Sequence, residues 1–190
     1  MKKLVLAAAL ALLATSPALA QAPMGGIGFR TGFTPFSALP IGPVDTRPTL
    51  GLRHWVNAQV GVDVGLGYNQ FKIEPSPETW TGFVFDIGLP ISIKPVSEKV
   101  NFILRPGFQW GSLEDKDESL VPTITTKFTT MAISAELEVE WMVADRLSVS
   151  ASQGFAWHQL EDDGSPKTTV TSFGTLGNNF TNLGFHVYLW

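Results

Sequence analysis

The longest run of alternating apolar and polar positions lies between Thr130 and Trp157. Along its first half Ile133, Ala135, Leu137, Val139 and Trp141 take one parity, and Ala132, Ser134, Glu136, Glu138 and Glu140 take the other. A period of two marks a β-strand, whose successive side chains point to opposite faces. Ala144, Asp145 and Arg146 then make a tight turn. Beyond it Leu147, Val149, Ala151, Phe155 and Trp157 share one face, with Ser148, Ser150, Ser152 and Gly154 on the other. Each arm is longer than the five or six residues usual in soluble sheets and suits a tilted strand crossing a bilayer.

The same rhythm recurs along the chain. Ile27, Phe29 and Phe33 oppose Gly26, Gly28, Arg30 and Gly32; Leu50, Leu52 and Val56 oppose Gly51, Arg53 and Trp55. Val60, Val62, Val64, Leu66 and Tyr68 oppose Gly61, Asp63, Gly65, Gly67 and Asn69. Phe83, Phe85, Ile87, Leu89, Ile91 and Ile93 oppose Gly82, Asp86, Gly88 and Ser92, and Phe102, Leu104, Phe108 and Trp110 oppose Asn101, Arg105, Gly107, Gln109 and Gly111. A final strand is predicted over 182–190. Eight strands result, joined alternately by long loops and by short turns at 57–59, 95–99 and 144–146, as in outer-membrane barrels. Two aromatic belts are predicted, with Trp55, Trp141, Tyr188 and Trp190 near the turn end, and Tyr68, Phe83, Trp110, Phe128 and Trp157 near the loop end.

The polar face decides which way the barrel turns. A water-exposed face carries many Lys and Glu, whereas this one is mostly Gly, Ser, Thr and Asn, which suits a narrow interior filled by side chains. The predicted fold is therefore all-β, an eight-stranded antiparallel up-and-down transmembrane β-barrel. The few strand charges, Arg30, Arg53, Asp63, Asp86, Arg105, Glu136, Glu138 and Glu140, then form a lumen cluster whose two signs offset each other. Arg105 precedes the glutamate strand and is expected to face it.

The N-terminus adds an address. Lys2 and Lys3 precede an unbroken apolar run over 4–13, and Ala18, Leu19 and Ala20 make a small-x-small cleavage site, so 1–20 reads as a signal peptide and 21–190 as one barrel domain. Without those two lysines, 11 basic residues stand against 17 acidic ones, a formal charge of −6 that argues against nucleic acid. The absence of cysteine is compatible with export.

These features resemble the small eight-stranded outer-membrane barrels of Gram-negative bacteria, similar to the OmpA transmembrane domain and OmpX-like proteins. The resemblance implies that Asn182, Gly184, Val187, Leu189 and Trp190 form an assembly signal read by the barrel-assembly machinery. Chemistry is sparse. His158, beside Glu161, Asp162 and Asp163, could find Ser172 across the barrel mouth, but no His-x-Ser pattern of outer-membrane deacylases is present, so no enzyme, cofactor or metal site is expected. The acidic run Glu114, Asp115, Asp117 and Glu118 lacks EF-hand spacing, although divalent ions could bridge it to lipopolysaccharide. The expectation is a monomer of the cell outer membrane with a structural or surface-interaction role. Its loops 34–47, 113–125 and 161–179 would contact lipopolysaccharide or an external partner, with a narrow small-solute or ion channel and a lipid A-modifying acyl hydrolase as alternatives.

Overall fold

The computed structural model describes residues 25–32, 47–72, 74–75, 78–97, 99–117, 124–164, 166–175 and 182–188. The expected signal peptide and the last two residues, Leu189 and Trp190, lie outside them. The strands are β1 (Gly25–Gly32), β2 (Arg47–Trp55), β3 (Gly61–Lys72), β4 (Glu78–Gly88), β5 (Ile91–Ser97), β6 (Val100–Asp117), β7 (Ile124–Ala144), β8 (Leu147–Asp162), β9 (Thr168–Thr175) and β10 (Asn182–Tyr188). β4 and β5 both pair with β6, and β9 and β10 both pair with β8, so ten segments make eight crossings. All pairings are antiparallel, and β10 pairs with β1 through Gly26↔Tyr188 to Arg30↔Gly184, which closes the sheet on itself. Closure through the β1–β10 seam removes the open sheet edge at that level, the condition for a sheet in hydrocarbon.

Parity sets the two faces. Leu50, Leu66, Tyr68, Ile133, Trp141 and Phe173 are exposed on the outside, while Arg53, Arg105, Glu138 and Ser148 are buried inside. Apolar residues outward and charges inward is the inverse of a water-soluble domain and fits a lipid solvent. This is a transmembrane β-barrel. At the upper rim of the apolar band Phe83 meets Trp110 with ring centroids 6.3 Å apart.

The short turns have specific locks. Asn57 Oδ1 accepts from the N–H groups of Gln59 and Val60, both at 2.8 Å, and Ser97 Oγ accepts from Lys99 and Val100 at 3.2 Å. Strands replace three stretches expected as loop or turn. Residues 113–117 belong to β6, 124–125 to β7, 161–162 to β8 and 168–175 to β9, while Pro95 lies within β5. Beyond the bilayer both faces of a strand meet water, so Thr and charged residues take over and the apolar alternation fades while the ladder continues. β6, β7 and β8 run 18, 21 and 16 residues, against about 9 to 11 for a tilted crossing. The final crossing likewise begins at Thr168: β9 pairs with β8 as far as Phe155↔Thr175, and β10 pairs with it from Asn182↔Ser152.

Gly154 sits where no side chain fits. A Cβ there would strike the Ala135 carbonyl oxygen and lie 2.7 Å from Glu136 Cα, both backbone atoms of the neighbouring strand. Gly154→Ala is expected to destabilise the barrel by about 1 to 3 kcal/mol, read from its urea unfolding midpoint; an unchanged midpoint would show that the β7–β8 ladder relaxes freely.

Candidate lumen charge centre

Two arginines organise the lumen. The Arg53 guanidinium grips Asp63 with two bonds, Nε to Oδ1 at 2.8 Å and Nη2 to Oδ2 at 2.9 Å, and donates to both oxygens of Glu138 at 3.0 and 2.9 Å. Arg105 donates from Nε to Asp63 Oδ2 at 2.8 Å, from Nη1 to Glu136 Oε1 at 3.0 Å, and from Nη2 to Asp86. Asp63 thus bridges both arginines. The planar five-donor fork of arginine lets one side chain serve several carboxylates at once.

The third glutamate is held differently. Glu140 Oε1 accepts from Ser148 Oγ and Tyr188 OH, both at 2.6 Å, and lies 3.5 Å from His186 Nδ1 and 3.8 Å from Arg53 Nη1. Ser152 Oγ donates to Glu136 Oε2 at 2.8 Å. Strands β2, β3, β4, β6, β7, β8 and β10 therefore all contribute to one polar network. Its geometry depends on glycine: a Cβ at Gly88 would land on the Arg105 guanidinium, and one at Gly107 would come within 3.0 Å of its Nη1.

Seven of the expected lumen charges, Arg53, Asp63, Asp86, Arg105, Glu136, Glu138 and Glu140, meet in this centre, and Arg105 and Glu136 are ladder partners. Arg30 occupies the β1 position paired with Thr49 and Gly184. Gly184 and Val187 lie in β10, with Val187 exposed outward, and Asn182 opens that strand. His186, Ser148, Ser152 and Tyr188 were not expected in the network, although His186 shares the parity of Gly184 and so reads as inward.

Apolar clusters flank the centre at the turn end and the loop end. Trp55, at 2% exposure, packs with Ile103, Tyr188 and Met142 at the turn end. Leu113 packs with Trp80, Phe128 and Leu160 at the loop end. Trp55, Tyr188 and Phe128 therefore belong to the lumen and not to the aromatic belts. Trp55 follows the parity of Arg53, whose guanidinium carbon lies 5.9 Å from its ring centroid, a cation–π contact.

At the loop end, where β6 and β8 stand clear of the apolar band, the acidic run does not converge. Glu114 pairs outward with Lys127 at 3.5 Å, whereas Asp115 shares the inward parity of Leu113. Burial, then the charges of Glu78 and Asp117, push the Asp115 carboxyl up. The Lys167 ammonium holds Glu161 below the usual carboxylate range at a contact of 2.8 Å. Among the described residues no group of three or more His, Asp or Glu is placed to hold a metal ion. His158 and Ser172 are partners in the β8–β9 ladder. Acyl transfer also needs converging oxyanion donors, and the N–H groups of β8 serve the ladders on either side.

Comparison with known proteins finds no matching family model and no matching curated sequence. Among solved structures the chain is similar to Ail, the attachment invasion locus protein of Yersinia pestis, at 12% identity and a TM-score of 0.46, covering 86% of this chain and 95% of that one. It is also similar to a major outer membrane protein from Thermus thermophilus, at 11% identity and a TM-score of 0.49, covering 86% and 98%. Acinetobacter baumannii CarO aligns at 11% identity and a TM-score of 0.38, covering 89% and 98%. Chains this distant lend no residue role to this one.

Proposed function

We propose that this protein is a non-conducting β-barrel of the cell outer membrane, acting through its outer rim as a structural or surface-interaction protein. The observation that carries the reading is the charge-paired lumen. Guanidinium–carboxylate bonds join strands across the barrel, and the Trp55 and Leu113 clusters flank them at the turn and loop ends. With the interior occupied, the working surface is the loop end, where exposed segments on a rigid scaffold commonly carry binding. There the extensions of β6, β7 and β8, with the connections 33–46, 118–123 and 163–167, contact lipopolysaccharide or an external partner. Exposed Lys127 and Lys167, just beyond the belt, suit anionic headgroups. The terminal residues Asn182, Gly184, Val187, Leu189 and Trp190 direct assembly.

Planar bilayers test the reading. The purified barrel is expected to show no single-channel steps, and the β6–β7 extension grafted onto an unrelated barrel is expected to retain surface binding. Reproducible steps that change on Glu138→Gln would replace this reading with the channel. A change in lipid A acyl chains, seen by mass spectrometry and lost on His158→Ala, would replace it with the hydrolase.

A further inference from the structure

We propose that the lumen binds ordered water in a trough floored by glycine, between His186 of the closing strand and Asp86 of β4. The trough follows from register. Gly28 pairs with His186 on one side and with Gly51 on the other, Gly51 pairs with Gly65, and Gly65 pairs with Asp86. Three glycines in a row across β1, β2 and β3 therefore leave the inner wall bare at one level. Thr49 bounds this level toward the loop end. Arg53 and Asp63, ladder partners of each other, bound it toward the turn end.

The bare floor opens a measurable space. Thr49, Arg53, Asp63, Asp86 and His186 line one pocket over Gly51 and Gly65, and the room there for the centre of a water molecule is about 20 Å³. About 10 to 15 Å³ of such room admits one water, provided that two to four polar groups meet it. The lining supplies them: Thr49, Arg53, Asp63 and His186 are each buried.

The lining also selects the guest. The Arg53 guanidinium repels a cation, and Asp63 and Asp86, which accept from guanidinium nitrogens, repel an anion. The Thr49 hydroxyl and the His186 imidazole each offer a donor or an acceptor. A neutral molecule that both donates and accepts meets every one of these groups, and water is the guest of that size. A bridging water is nearly as favourable as a direct hydrogen bond, so water bound here carries the polar network past the β1–β10 seam toward β4.

NMR of the barrel in detergent micelles, with threonine methyl groups labelled, tests the site. The Thr49 methyl is expected to show a cross-peak with water, of the sign that a long-lived bound molecule gives. Gly65→Ala fills the trough without a clash, because its Cβ would lie 3.4 Å from Thr49 Cβ and 3.6 Å from Asp86 Cβ, whereas a Cβ at Gly51 would strike the Val64 carbonyl oxygen. Gly65→Ala is expected to abolish the cross-peak and to leave heat-modifiable gel mobility unchanged. A cross-peak of full intensity in a folded Gly65→Ala barrel would mean relay through the Thr49 hydroxyl itself, and would overturn the site. A cross-peak lost when sodium chloride is exchanged for choline chloride would make the guest a hydrated ion, and would overturn the assignment to water. A crystal structure of the unaltered barrel gives a reading independent of any variant: density within hydrogen-bond distance of Thr49 or Asp86 in this space is expected, and an empty trough would overturn the proposal.

Discussion

Deleting residues 187–190 is expected to remove the protein from the outer membrane almost entirely, with the chain degraded or aggregated in the periplasm. β10 is the closing strand, pairing with β1 through Ile27↔Val187 and with β8 through Val187↔Leu147. Until that seam forms, two strand edges present unpaired backbone groups, which invite aggregation. The deletion also removes Tyr188, which packs in the turn-end layer and donates to Glu140. Tyr188→Phe separates the two effects: it keeps the ring and the seam, should reach the membrane, and should cost about 0.5 to 3 kcal/mol for the lost bond to a carboxylate. Fractionation and heat-modifiable gel mobility read both variants. Normal outer-membrane levels of the truncated chain would show that neither the seam nor an assembly signal depends on these residues.

Arg105→Leu is expected to cost about 3 to 5 kcal/mol, because it strips the partner from carboxylates that stay buried. Asp63, Asp86 and Glu136 each accept from a different nitrogen of this one side chain. Leucine also leaves space beside Gly88 and Gly107, whose missing Cβ atoms accommodate the guanidinium. Arg105→Lys should recover only part of the loss, since one compact ammonium nitrogen cannot span the three carboxylates that separate guanidinium nitrogens reach. Urea titration in lipid vesicles measures both; an Arg105→Leu barrel as stable as the parent would show that water reaches the carboxylates and screens them.

The fold is legible in the sequence because one face of each crossing must be apolar, and lipid imposes that rule on every strand. Leu137 and Glu138, adjacent in sequence and on opposite faces of the barrel wall, show how little else is needed. Legibility ends where the rule ends. Leu113 to Asp117 carries no apolar face along its length, so β6 looks finished at Gly111 although its ladder with β7 continues to Asp117↔Ile124. Trp55 shows a second limit: an aromatic near a strand end serves either a membrane interface or a lumen layer, and only its parity with Arg53 separates them.

The long β6–β7 hairpin gives the molecule a projecting flank. Its paired arms run 18 and 21 residues, about twice what a tilted crossing needs, so their ends stand beyond the apolar band. The Glu114–Lys127 pair near that tip sits off the barrel axis, so a spin label or fluorophore at Lys127 would report from the β6–β7 flank and not from the centre of the barrel mouth.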